Sequence, residues 1–195
     1  LLASDIHYTV GCIAEAQQHA FEAQATFPQS MGIQTMKRLV KTNLIFGHHA
    51  VAEKYLSLIA QTTFHQAWAQ NYSRILFNDQ AIEADAELGE KRRSLSQRNR
   101  FAMFYGWTPE LQDILEVNPE NRQAKEYLGL SYLMNKDLKG FRLFLDKHYG
   151  TGKDRTLPLS FQQAVMALDQ PDKVKEYDVS TAVKEQYAQF MRQYA

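Results

Sequence analysis

The chain has 195 residues, and its 22 basic and 22 acidic side chains give a formal net charge of zero. Apolar residues make up 45% of the chain and aromatic residues 12%, a composition that excludes intrinsic disorder and favours a packed core. The balanced charge argues against duplex nucleic acid as a partner, because such binding depends on an excess of basic side chains. The single cysteine, Cys12, excludes an internal disulfide and is typical of a small buried apolar residue.

No apolar run approaches the ~20 residues that a membrane-spanning helix requires, so we expect the chain as given to be soluble. It begins at Leu1 without a methionine and enters a helix almost at once, which indicates a fragment of a longer protein.

The first half of the chain has the periodicity of amphipathic helices. Ser4 or Asp5 is expected to cap a first helix that runs to Pro28, either unbroken or as a hairpin turned near Gly11. Three more helices are predicted in this half, over about residues 31–46, 49–60 and 64–77, and Gly47 is expected to end the first of these three. No segment shows a convincing period-two pattern of a β-strand, so we predict an all-α fold.

Residues 78–100 carry acidic side chains first and basic ones later, an order that suits a helix dipole and allows pairs four residues apart. We interpret this segment as a solvated helix and an exposed connector. The alternative is a surface for nucleic acid or anionic lipid, built from the basic residues 91–100 and the aromatic patch 101–105. The preceding acidic residues nearly cancel that basic charge, so we expect no nucleic-acid partner.

The clearest element is a helical hairpin over residues 118–148, with a polar turn at Asn135–Asp137. Neither of its short helices can bury an apolar stripe alone, so the hairpin must pack on neighbours. Further helices are predicted to start at Thr108, at Pro158 and at Ser180 or Thr181. The expected stripes are Ala124, Tyr127, Leu128, Ser131, Tyr132 and Leu133 on the first helix, and Leu138, Phe141, Leu143, Phe144 and Leu145 on the second.

This hairpin resembles a tetratricopeptide repeat (TPR), a helical hairpin of about 34 residues. Asn118-Pro119 is similar to the end of one repeat, and Leu128-Gly129 with Tyr132 falls at the spacing expected in the next. Gly129 would let a partner helix approach closely. Phe141 departs from the pattern, which has a small residue there. The resemblance implies antiparallel helical hairpins stacked as a TPR-like α-solenoid, with residues 1–195 as a single domain.

Patterns that could carry chemistry are weak. His49 and Glu53 lie four residues apart on one helical face and could begin a metal site, but no second ligand pair such as HExxH accompanies them. Cys12 has no activating neighbour in sequence. Residues 150–153 lack the spacing of a phosphate-binding loop. We therefore expect a chain that is not an enzyme, with no catalytic residue, no cofactor and no metal ligand.

A second resemblance rests on longer segments. Through three segments, given at the end of this paragraph by their sequence, the chain looks like the soluble C-terminal portion of an uncharacterised family of bacterial membrane proteins. In that family a multi-pass region precedes a helical, TPR-like tail. It implies that the full-length protein lies at the bacterial inner membrane through upstream segments, and it supplies no catalytic residues. The segments are AIEADAELGEKRRSL at 81–95, RNRFAMFYGWTPELQDILEVNPEN at 98–121 and LPLSFQQAVMAL at 157–168.

Two functions follow as hypotheses. The first is a non-catalytic helical-repeat scaffold that binds a protein or peptide partner. In that case the TPR analogy places Gln123, Glu126, Leu130 and Leu133 on the partner-binding face of the best repeat. The alternative is an accessory or regulatory module of a membrane-bound enzyme whose catalytic residues lie upstream.

Overall fold

A computed structural model describes residues 1–26, 32–95, 107–150, 156–168 and 177–194, and within these ranges it contains twelve α-helices and no strand. The all-α prediction is confirmed for this part of the chain. The predictions at Pro28, at the aromatic patch 101–105 and at residues 151–153 fall outside it. The helices are α1 Leu2–Val10, α2 Ile13–Thr26, α3 Gly32–Phe46, α4 His49–Ala60, α5 Gln66–Ser73, α6 Asp79–Ala84, α7 Ala86–Arg93, α8 Trp107–Val117, α9 Arg122–Met134, α10 Leu138–Tyr149, α11 Leu159–Ala167 and α12 Thr181–Tyr194.

The residues group into two compact units. Unit 1 consists of residues 1–106 and 116–118, and unit 2 of residues 107–115 and 119–195. No helix in the described ranges is both long enough and apolar enough to cross a bilayer. The stacking of hairpins as a TPR-like solenoid and the single-domain organisation stay predictions.

Unit 1 begins with a helical hairpin rather than one long helix. Gly11 ends α1 in the left-handed conformation, with φ of 101°, which glycine adopts at little cost. The expected cap at Ser4 or Asp5 is wrong, because α1 already starts at Leu2. Ser4 is instead buried, and its Oγ donates a hydrogen bond of 2.7 Å to the Ala16 carbonyl on α2. This bond ties the two helices together.

From α1 to α5, each helix of unit 1 packs against the next, and α7 returns to α3. The segment 78–95 is therefore more than a solvated helix, since Ile82 and Leu88 are fully buried. Arg92 on α7 donates hydrogen bonds to the carbonyls of Leu44 and Ile45 at the end of α3, at 3.2 and 3.0 Å. Carbonyls at the end of a helix lack partners within that helix, so Arg92, although distant in sequence, caps the C-terminus of α3.

Unit 2 is organised around the hairpin of α9 and α10, with α11 packed on α9 and α12 on α11. The core is aromatic: Phe141 and Phe144 meet Phe161 of α11 edge to face, with ring centroids 5.3 and 5.8 Å apart. Gly129 of α9 lies against these rings. A Cβ added to Gly129 would stand 2.2 Å from Phe161 Cζ and 2.7 Å from Phe144 Cε1, so the expected close approach is confirmed.

Candidate functional site

The outward face of α9 is the first candidate site. Beside the face that buries Ala124 and Leu128, the helix carries a stripe at positions i, i+4, i+7 and i+11, which lie on one side of an α-helix. Three of the four side chains are large and apolar, with exposed fractions of 37%, 38% and 83% in chain order. We call this stripe the α9 surface; it consists of Gln123, Tyr127, Leu130 and Met134.

The four residues predicted from the TPR analogy divide between this surface and its edge. Gln123 and Leu130 belong to the α9 surface. Glu126 and Leu133 are half-buried, and Glu126 accepts a hydrogen bond of 2.8 Å from Arg122 Nε. Tyr127, which we had expected in the core stripe, is exposed instead. The apolar character of this face therefore comes from Tyr127 and Met134 as well as from Leu130.

Charge is distributed unevenly along α9. At its N-terminal end the cations are matched, since Arg122 pairs with Glu126 at 2.8 Å and Lys125 with Glu120 at 3.5 Å. At the other end, Lys136 in the α9–α10 turn and Lys139 in the first turn of α10 take part in no ion pair within the described part of the chain. The exposed apolar stripe thus ends near a turn where two lysines have no ion-pair partner among the described residues and where the carboxylate of Asp137 caps α10.

Both helices of this hairpin are capped at their N-termini. Asn121 Oδ1 accepts a hydrogen bond of 3.0 Å from the Ala124 N–H, and Asp137 Oδ1 accepts one of 2.8 Å from the Gly140 N–H. Such side-chain caps satisfy N–H groups that have no partner within the helix. Lys136 adopts a left-handed conformation in the turn, with φ of 57°. The α9 surface therefore lies on a helix whose N-terminus is capped.

His49 and Glu53, the pair that could begin a metal site, are not part of any group of three metal-ligating side chains among the described residues. His49 Nε2 lies 3.3 Å from Asp79 Oδ1, and its Nδ1 accepts a hydrogen bond of 3.3 Å from the Phe77 N–H. The side chain of Glu53 is exposed. His49 therefore has a structural role in joining α4 to the segment before α6.

A cleft in unit 1 is a second candidate that the sequence did not indicate. Its volume is about 430 Å³, and three cations of α3 reach it. Arg38 is matched by Asp5 at 2.8 Å and Lys41 by Glu87 at 2.7 Å. Lys37 is bonded to a ring nitrogen of His65 instead of a carboxylate. The lining residues are Leu1, Asp5, Gln34, Lys37, Arg38, Lys41 and Trp68.

Because most of its charge is balanced internally, this cleft is a weaker anion site than its lysines suggest. The Lys37 ammonium also stands 5.1 Å from the centre of the Trp68 ring, which contributes a cation–π contact. The cations of α3 thus mainly connect this helix to neighbouring segments of unit 1.

Cys12 is buried, as expected, but it is not isolated. The side chain of His7 lies near it and is also buried. Burial and the nearby His19 lower the pKa of His7 to about 4. Glu15 has a pKa raised mainly by burial. Sequence reasoning missed this group because its members are spread over a turn, and the available signal was the spacing His-x4-Cys-x2-Glu across Gly11.

The fold and these surfaces define an all-α protein whose exposed α9 face is the most prominent candidate site among the described residues. The chain belongs to the family of unknown function DUF6057, whose profile matches residues 1–195. No curated protein matches the chain, and no solved structure does.

Proposed function

We propose that this chain is a non-catalytic helical module that binds a protein partner through the α9 surface. The observation that carries the proposal is the apolar stripe of Tyr127, Leu130 and Met134, left uncovered on a capped, well-packed helix. Single exposed apolar residues are ordinary, but three in line on one helix face are typical of a recognition surface.

The charges indicate what kind of partner fits. Among the described residues, Lys136 and Lys139 have no ion-pair partner at one end of the stripe while the cations at the other end are paired, so an acidic group is favoured near the α9–α10 turn. The proposed occupant is therefore a peptide segment of another protein, with apolar anchor residues and an acidic end placed over this turn. Resemblance to membrane-protein tails adds a context in which segments upstream of Leu1 tether the module to a membrane.

A peptide-display selection tests this binding mode without knowledge of the natural partner. Random peptides would be selected on the wild-type chain and measured against Leu130→Asp and Met134→Asp. We expect enriched peptides that combine apolar and acidic residues, with affinity reduced more than about tenfold by either substitution, since a charge in an apolar contact is costly. Affinity should also fall as salt is raised.

The matched control is Leu159→Asp, which places the same charge on another exposed leucine of unit 2. It should leave peptide affinity unchanged. Selected peptides that bind Leu130→Asp as tightly as wild type, or that carry no acidic bias, would contradict the proposal.

A further inference from the structure

Three metal-ligating side chains meet at the α1–α2 hairpin of unit 1. His7 lies in the last turn of α1, Cys12 in the connection and Glu15 in the first turn of α2. One ligand atom from each, a ring nitrogen, the thiol sulfur and a carboxylate oxygen, lies within 4.8 Å of the other two. The hairpin therefore gathers three different donor types that are dispersed along the sequence.

The backbone of the hairpin holds the three residues in place. The N–H groups of Gly11 and Cys12 both donate to the His7 carbonyl, at 3.1 and 2.9 Å. The Cys12 carbonyl in turn accepts from the Ala16 N–H at 3.0 Å, so Cys12 is joined to both helices. A site built on helix ends that are fixed in this way has its ligand directions set before any ion binds.

We propose that His7, Cys12 and Glu15 form a binding site for Zn²⁺. Nitrogen, thiolate and carboxylate are the three donor types that zinc accepts in proteins, whereas the thiolate disfavours Mg²⁺ and Ca²⁺. In a tetrahedral zinc site the ligand atoms are roughly 3.3–3.8 Å apart, as follows from metal–ligand bonds of about 2.0–2.3 Å. Small side-chain movements, on the order of 1 Å, close the cluster to that geometry.

The burial pattern also fits a metal site. His7 and Cys12 are 6% and 4% exposed, so an ion there would be shielded on one side, while Glu15 is half-buried and marks the side nearer to solvent. Since the ligands come from α1, the turn and α2, the ion would also clamp the start of unit 1 together.

Cobalt spectroscopy gives a direct test, because Cys12 is the single cysteine of the chain. Co²⁺ added to the purified 195-residue protein should produce a thiolate-to-cobalt charge-transfer band in the near ultraviolet, at one ion per chain. Any such band reports on Cys12 alone. Zn²⁺ should abolish it by competition and should raise the melting temperature by about 5 °C or more.

Variants separate the proposed ligands from other metal-binding groups. Cys12→Ser and Glu15→Gln should weaken Zn²⁺ binding by more than about 100-fold and about tenfold respectively, as expected for ligands bound directly to the ion. His49→Gln, a histidine outside the cluster, should bind as wild type does. If a variant does not fold, the cobalt spectrum of the wild-type protein still decides the question. The absence of a thiolate band at millimolar Co²⁺, or a zinc affinity unaffected by Cys12→Ser, would overturn the proposal.

Discussion

Replacing Gly129 by alanine tests the packing at the centre of unit 2. On propensity alone the change should stabilise α9 by about 1 kcal/mol, because alanine favours a helix over glycine. The structure predicts the opposite. The new methyl group would stand 2.2 Å from Phe161 Cζ and 2.7 Å from Phe144 Cε1, well inside van der Waals contact. These rings are 0% and 4% exposed, so they have little room to move.

Overpacking of this kind costs about 1–3 kcal/mol, and contact with two confined rings points to the upper part of that range. After the gain in propensity is subtracted, we expect Gly129→Ala to lower the free energy of unfolding by about 1–2 kcal/mol. For a chain of this size the melting temperature should fall by roughly 2–8 °C. Urea unfolding followed by circular dichroism measures the change.

Gly32→Ala is the matched control, since the nearest atom to its added Cβ is the flexible Met36 Cε at 3.8 Å. It should be neutral or slightly stabilising. Combining Gly129→Ala with Phe161→Leu should cost less than the two single changes added together, because the smaller side chain relieves the overlap. A Gly129→Ala protein as stable as wild type would refute the reasoning.

Two further predictions concern Arg92. Arg92→Met should destabilise unit 1 by about 2–3 kcal/mol, because the carbonyls of Leu44 and Ile45 lose a charged donor; the exposed Arg74→Met should change stability by less than about 0.5 kcal/mol in the same urea assay. The hydrogen bond from Arg92 also holds the pKa of Asp79 below its usual value. The stabilisation from the Arg92–Asp79 pair is therefore fully present at pH values above the usual pKa of an aspartate. It is lost as the pH falls through the lowered pKa of Asp79 in the folded protein. Carboxyl NMR titration should show the pKa of Asp79 returning upward in Arg92→Met, and an unchanged pKa would contradict the assigned cause.

Helix positions were largely predictable because local signals determine them. The bounds of α4 match the sequence prediction. The local signal is Gly47, which takes a positive φ of 76° and separates α3 from α4. The hairpin at Gly11 was left open between two alternatives, because a glycine inside a helical pattern can be tolerated or can end the helix. Its φ of 101° decides for the turn.

Burial was less predictable than helicity. An amphipathic pattern gives the apolar side of a helix but not what covers it, which depends on distant segments. Leu138 and Leu143 fit their predicted stripe and are nevertheless 51% and 71% exposed. Tyr127 also belongs to a predicted core stripe and is exposed. It contributes to the α9 surface, of which the TPR analogy predicted Leu130.

The two sites missed by the sequence depend on contacts between helices. The cleft of unit 1 needs α5 to bring Trp68 to the cations of α3, a contact with no local signal. The cluster of His7, Cys12 and Glu15 needs the chain to reverse at Gly11. The sequence predicts this cluster only if Gly11 is taken to turn the chain into a hairpin rather than to lie within one unbroken helix.

Photo-crosslinking in cells tests partner binding at the α9 surface most directly. A photoreactive amino acid would replace Leu130 in the full-length protein, with the exposed Leu159 replaced in a parallel strain as control. Our account predicts a crosslinked protein from position 130 and none from position 159, with the adduct mapping by mass spectrometry to an apolar segment that has an acidic end. No adduct at position 130, or the same adducts from both positions, would contradict it.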